Sequence, residues 1–321
     1  MISEAKTITI LACFMDQRIK FRHLQTFLEV ARQRSVGKAA DALAITQPAV
    51  TRTIRELEEV LGVALFEKEG RGIRISHFGE VFLKHAGESL AAVQRGVDSL
   101  AQARASGGPP LRIGTLPTTS ATFMPDALAD FLAIGTGTHV TIVSGENRFL
   151  LDSLRLGELD LVVGRLAAPE RMTGLIFEPL FSEEVAIIVS PDHPLAVRRN
   201  FTLSALANYT VLMPTAGSVI RPFVDRLLLT NGIPELPNTV ETVSDSFGRA
   251  FVSRHRGVWF ISRGVVADDL SSGRLVELEI DMGETRGAVG LTTPASVEPS
   301  ASLTLMKQTI RNHVEARNGR F

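Results

Sequence analysis

The sequence predicts an α/β chain with a small helical head, one long helix and two α/β lobes around a cleft. Three observations predict it. Up to residue 104 the apolar residues recur at helical spacing, interrupted once by a strand–turn–strand signal. Beyond residue 111, strand-like and helical runs alternate. The chain has 321 residues, enough for roughly two domains. Its 45% hydrophobic and 21% charged content excludes a disordered majority.

Residues 1–17 read as an extension: ITILACF is apolar but short, lacks a basic leader and precedes no small-residue cleavage site. Met15 is an alternative start, because the pattern begins just after it. In HLQTFLEVARQR, Leu24, Phe27, Leu28 and Ala31 fall on one helix face. Ser35 is placed to cap a shorter helix, VGKAADAL, whose Ala39 and Ala40 permit a close neighbour. In TQPAVTRTIRELEEVLG, Thr46 can cap and Pro48 suits a first helical turn, where its missing N–H is not needed. Val50, Ile54, Leu57 and Leu61 make the apolar face, and Gly62 suits the end. VALFEKEGRGIRIS reads as two strands about Gly70-Arg71-Gly72. From Phe78 to Arg104 a long helix carries Ala86, Leu90, Val93, Val97 and Leu100 at heptad spacing, which suggests a paired helix. Ser106-Gly107-Gly108-Pro109-Pro110 ends it as a hinge.

Strand-like LRIGTL, VTIVSG, LDLVVG, EVAIIVS, TVLMP and GVWFIS then alternate with helical PDALADFLA, RFLLDSLRLG, SVIRPFVDRLLL and DSFGRAFVSR, predicting a largely parallel sheet. LRIGTLPTTSATFMPDALADF and TVLMPTAGSVIRPFVDRLL share a strand, a Thr/Ser/Gly turn and a helix, which suggests two lobes facing a cleft.

The formal net charge is −1, so composition alone does not point to nucleic acid and any case must be local. Three short helices with a tight second junction, then a hairpin, are the parts of a winged helix-turn-helix. The third helix would read DNA: its start offers Thr46, Gln47, Pro48, Thr51, Arg52 and Arg55, with no acid before Glu56. Gln matches adenine, Arg matches guanine, and Thr meets a thymine methyl or a phosphate. Ser35, Lys68, Arg71 and Arg74 would reach the flanking backbone, where cations release counterions. A solvated amphipathic helix is the plain alternative for QPAVTRTIRELE alone; the ordered set of elements weighs against it.

These residues carry a resemblance. The small-residue AADAL, TQPAVTR, LEEVLGVALFE and the Gly-Arg-Gly wing are similar to the DNA-binding domain of LysR-type transcriptional regulators, and PDHPLA and RGVWFIS to that family's two-lobed effector domain. The resemblance spans about residues 18–315. It implies a winged helix-turn-helix at 18–77, a linker and dimerisation helix at 78–106, and a periplasmic-binding-protein-like effector domain at 107–321. Lobe I would take about 111–183 and 284–321, lobe II about 184–283. It further implies double-stranded promoter DNA, RNA polymerase and a small-molecule effector as partners, and a homodimer or homotetramer. Lys68 departs from the arginine that commonly follows LFE, keeping the charge but losing the planar fork.

For the cleft, Thr118, Thr119 and Ser120 stand where a strand runs into a helix, and Thr215, Gly217 and Ser218 repeat that arrangement. Backbone N–H groups at helix starts hold anions without formal charge, although Thr, Ser and Gly there are also ordinary caps. Asn147 opens a helix, and Arg165 follows LDLVVG at a strand's carboxyl end, where open sheets bind ligands. Arg165 is the preferred fixed cation for a carboxylate effector. A narrower resemblance rests on RIKFRHLQTF, GPPLRIG, VSGEN and LVVGRLAAPE. It is to the subgroup regulating the protocatechuate branch of aromatic catabolism, and implies an activator answering a carboxylated muconate. A sugar-uptake regulator shares similar segments, so a sugar-pathway effector is the alternative.

An enzyme is disfavoured: no GxSxG, P-loop or HExxH motif is present, and the seven histidines show no metal spacing, so no catalytic residue, metal or cofactor is expected. A transporter's solute-binding protein would share the α/β half but not the head. No run approaches a membrane helix, and the single cysteine, Cys13, fits a reducing cytoplasm.

Overall fold

The computed structural model describes residues 19–70, 72–104, 110–197, 202–295 and 297–316. The extension with Cys13 and Met15, Arg71 of the wing, and residues 105–109 of the expected hinge lie outside them. The chain divides into two compact units, Met1–Val97 with Arg155–Gly157, and Asp98–Leu154 with Glu158–Phe321.

In the first unit, α1 (Phe21–Gln33), α2 (Val36–Ala42) and α3 (Gln47–Leu61) enclose a core of Phe27, Leu28, Val30, Ala39, Ala40, Val50, Ile54, Leu57 and Leu65. Ser35 caps α2, its hydroxyl accepting the Lys38 N–H at 3.4 Å. Thr46 occupies the N-cap position of α3, but the expected cap bond from its hydroxyl is absent; Pro48 leaves that first turn with one donor fewer to satisfy. Gly62 closes α3 at φ 70°, a left-handed conformation glycine adopts without strain.

The wing is an antiparallel hairpin of β1 (Phe66–Glu69) and β2 (Gly72–Ile75), with Phe66 opposite Ile75. It is tied to α3 by the Glu58 carboxylate, which accepts the N–H groups of Leu65 and Phe66 at 2.7 and 3.3 Å. The long helix α4 (His77–Arg104) begins against the same turn. A Cβ on Gly79 would stand 2.2 Å from the Leu65 carbonyl oxygen, so only glycine fits there. The heptad positions divide: Ala86 and Leu90 pack on the head core, while Val93, Val97 and Leu100 are exposed.

The second unit holds two five-stranded sheets. The first runs β4 (Val140–Ser144), β3 (Leu111–Thr115), β5 (Leu161–Arg165), β12 (Gly287–Pro294), β6 (Leu175–Glu183). The second runs β11 (Val276–Glu277), β7 (Val185–Val189), β10 (Val258–Ser262), β8 (Val211–Met213), β9 (Thr239–Glu241). Helices α5 (Pro117–Ala121), α6 (Met124–Ala133), α7 (Asn147–Arg155) and α11 (Ala301–Ala316) accompany the first sheet in sequence, and α8 (Arg221–Thr230), α9 (Asp245–His255) and α10 (Ala267–Ser271) the second. The expectation of largely parallel sheet is corrected: each sheet is mixed. β3 is parallel to β4 and β5, but β12 is antiparallel to both β5 and β6. β10 is parallel to β8 and antiparallel to β7. The reason is connectivity. β6 runs straight on into β7 of the other sheet and β12 comes back, so β7 and β12 are the strands that run against their neighbours. No helix among the described residues is long and apolar enough to cross a membrane.

Leu57 is fully buried at the centre of the head. Leu57→Ala should cost about 2–5 kcal/mol of local stability, read as faster hydrogen exchange of the α1–α3 amides with the sheet amides unchanged.

Candidate functional site

Two surfaces concentrate polar chemistry. On the first unit, the start of α3 leaves Thr46, Gln47, Pro48, Arg52 and Arg55 exposed and Thr51 half-buried. Gln47, Pro48, Thr51, Arg52 and Arg55 line one shallow depression with Glu56 and Glu59. The inward face of the same helix is Val50, Ile54 and Leu57, so apolar packing turns the polar face outward. The Thr51 hydroxyl donates to the Gln47 carbonyl at 3.1 Å, and the Ser35 hydroxyl is engaged as a cap.

Arg52 is 83% exposed, yet its Nε donates to the Glu56 carboxylate at 3.0 Å. The same carboxylate takes Arg22 Nη2 at 3.1 Å and lies 3.5 Å from His23 Nε2. Arg52's donation, set against some burial and helped by His23 and Arg22, holds the Glu56 carboxyl below the usual glutamate range. Glu56 therefore lies in the same depression as Gln47, Arg52 and Arg55, and its further partners, exposed Arg22 and buried His23, come from α1. Sequence reading missed these partners because they come from a different helix. On the wing, Lys68 and Arg74 are exposed, with Arg74 Nη2 donating to Glu67 at 2.6 Å; Arg71 lies outside the described residues.

In the second unit a cleft of about 310 Å³ opens between the carboxyl ends of the strands and the turns that follow them. Of the eight expected residues, Thr118, Asn147, Arg165 and Ser218 are on its wall. Thr119 is not: it is fully buried and its hydroxyl faces the Leu116 and Val163 carbonyls, at 3.0 and 2.9 Å. Ser120 is not either, its hydroxyl being paired with that of Thr115. Thr215 and Gly217 fall short of the wall because α8 begins only at Arg221, so residues 215–218 form a preceding turn. There the Thr215 hydroxyl donates to Glu146 Oε1 at 3.0 Å, and a Cβ on Gly217 would stand 3.0 Å from Glu146 Oε2. The two matched helix N-termini expected from sequence are therefore not a feature of this cleft.

Arg165 is 5% exposed. Its Nη2 donates to the Thr285 carbonyl, and its guanidinium lies 4.7 Å from the centre of the Phe223 ring. Nε and Nη1 are buried with no hydrogen-bond partner among the described residues. Burial pulls its pKa down, opposed by the charge of Glu183. Gly287 makes the room: a Cβ there would stand 2.3 Å from Arg165 Nε. Asn147 Nδ2 donates to the Arg165 carbonyl at 3.0 Å, while its Oδ1 is buried without a partner. Buried polar atoms are almost always satisfied, and among the described residues these are left without a protein partner.

Three acids on the wall were not expected: Glu146, Glu183 and Asp245. Burial pushes the Glu183 carboxyl up to about 7, against the Gly264 N–H, the Arg165 charge, the Thr118 hydroxyl and Arg263. Burial also raises Asp245, with Arg249 opposing. The available signal for Glu183 was an acid pair between two apolar runs, FEPLFSEEVAIIVS. Apolar walls are supplied by Leu116, Val219, Ile220, Phe260, Ile261 and Val265.

Both units match known proteins. Residues 21–80 match the model for the bacterial regulatory helix-turn-helix protein, lysR family, and residues 104–315 match the LysR substrate binding domain. The chain is 56% identical over 297 residues to the HTH-type transcriptional regulator PcaQ of Agrobacterium fabrum, covering 92% of this chain and 96% of the relative. It is 34% identical over 296 residues to the transcriptional regulator YdcI of Escherichia coli K12, with the same coverage of 92% and 96%. Full-length BenM shares its fold at TM-score 0.55 and 21% identity, over 94% of this chain and 98% of that one.

Arg52→Ala should remove about 1–3 kcal/mol of sequence-specific DNA binding. The measurement compares the best duplex selected from a random library with a scrambled one of the same length. Equal weakening on both would mean that Arg52 meets phosphate only.

Proposed function

This chain belongs to the LysR family of transcriptional regulators, and from that premise we propose that it is an activator answering a carboxylated metabolite of aromatic catabolism. The observation that carries the effector class is Arg165, a cation withdrawn from water whose Nε and Nη1 have no partner among the described residues. A carboxylate offers an oxygen to either of these nitrogens and is an anion that arginine's planar guanidinium fits. The mostly apolar surroundings suit a carbon skeleton without many hydroxyls, which favours a muconate-like acid over a sugar. The long match to PcaQ supports the same choice.

In this reading, residues 18–77 bind promoter DNA. Gln47, Thr51, Arg52 and Arg55 address base edges, while Ser35, Thr46, Lys68, Arg71 and Arg74 address the phosphate backbone and Pro48 shapes the helix start. Residues 78–106 pair two copies, and residues 107–321 hold the effector. In the cleft Arg165 anchors the acid, with Thr118, Asn147 and Ser218 around it. Val93, Val97 and Leu100, exposed along α4, are suited to pairing. Joining two heads raises the effective concentration of the second once the first is bound. A homodimer, itself able to pair into a tetramer, and contact with RNA polymerase in the cytoplasm complete the proposal.

The effector reading is tested by thermal shift with 3-carboxy-cis,cis-muconate, other protocatechuate-pathway acids and sugar acids. A ligand of the native state should raise the melting temperature with the logarithm of its concentration once saturating. Arg165→Ala should abolish the shift while the protein still retards its selected duplex; an unchanged dose response removes Arg165 from the site. Val93→Asp should give monomers by sedimentation that bind the duplex weakly. An intact dimer would move assembly to the α/β half.

A further inference from the structure

The proposed role of the cleft leaves one of its groups unused. Glu183 ends β6, is 6% exposed, and lies beside Arg165 with only β12 between their strands: Gly287 pairs with Glu183 and Val289 with Arg165. Its Oε1 accepts the Gly264 N–H at 2.7 Å, and the Thr118 hydroxyl helps to hold the carboxylate in its charged form. Gly264 lies in the turn Arg263–Val266 after β10 of the second sheet, while Thr118 lies in α5 beside the first. A Cβ on Gly264 would stand 2.7 Å from Glu183 Oε1 and 2.8 Å from Thr118 Cγ2, so the three are in close contact. One carboxylate therefore joins both lobes on the cleft wall. The charges acting on it are Arg165 from β5 and Arg263 from the turn after β10; Asp245, opening α9, and Glu146, before α7, are the other acids of the wall.

Resting on the effector reading above, we infer that Glu183 is the internal counter-ion of Arg165, and that a carboxylate settling on Arg165 draws a proton from solvent onto Glu183. The reason is a charge count in a dry place. With an anion bound, two carboxylates share one guanidinium in a buried place, where each like charge raises the other's cost of ionising. Burial already holds Glu183 up to about 7, and the positive charge of Arg165 is one of the influences keeping it from going higher. An anion that neutralises Arg165 removes that influence and adds repulsion, so the carboxyl's pKa rises again in the bound state. Protonated, Glu183 still accepts the Gly264 N–H with Oε1 and gains an O–H on Oε2 that can donate to the anion.

The sign follows from linkage. The bound state has the higher pKa, so binding is strongest below the free-state value of about 7. It weakens as pH rises toward the bound-state value, by up to about tenfold per pH unit. A simple carboxylate ligand is fully ionised throughout this window and contributes no slope of its own.

The test uses the full-length protein and 3-carboxy-cis,cis-muconate as probe, in titration calorimetry at pH 7.5 in phosphate and in Tris, whose ionisation heats differ widely. The expected result is a difference in apparent heat equal to uptake of up to about one proton, with the Kd rising between pH 6.5 and 8.5. E183Q keeps an acceptor for Gly264 but cannot titrate. It should show no uptake, a Kd independent of pH, and tighter binding than the unaltered protein at pH 8.5. Binding without proton uptake in the unaltered protein overturns this inference and leaves the effector reading standing, and that measurement needs no variant. Uptake that persists in E183Q assigns the proton to another group and removes Glu183. No binding heat or melting shift with any of the acids overturns both readings.

Discussion

A charged guanidinium withdrawn from water is the constraint on which the second unit depends. Isolated, such a group would cost several kcal/mol to bury. Here the cost is met by a carbonyl at Thr285, the face of Phe223, and the carboxylate of Glu183 across β12. Each requires a particular piece of fold. Thr285 sits where the chain returns to the first sheet, Glu183 where it leaves, and Phe223 on α8. The two strands that pass between the sheets are thus the ones that hold the buried charge. Among the described residues two of the guanidinium's three nitrogens, Nε and Nη1, still lack an acceptor.

The head solves a different problem, presenting a helix end rather than hiding one. Three buried side chains on α3 set its rotation, and Glu58 fixes the wing to it by two backbone bonds. Reader and wing are therefore one rigid piece, as a protein that must register several groove and phosphate contacts at once requires.

Much of this was legible in the sequence, and for identifiable reasons. The head elements follow local rules: helical spacing in α1 and α3, a serine before α2, a glycine at the end of α3 and glycines at the wing turn. The core strands were legible as apolar runs between turns. The mixed sheets were not, because β7 and β12 take their direction from partners remote in sequence. Arg165 could be placed on the cleft wall because it follows an apolar strand at the carboxyl end, where open sheets bind ligands. Thr119, Ser120, Thr215 and Gly217 were overread, since the same residue types serve as hydrogen-bond fillers inside a fold. Glu56, Glu183 and Asp245 escaped because an acid's meaning lies in what the tertiary structure puts beside it.

Glu56 gives the head one more property. By holding Arg22 and Arg52 together it offsets positive charge on the exposed face of α3. Attraction to arbitrary DNA grows with each phosphate neutralised, so a regulator that keeps its own arginines occupied lingers less at wrong sites.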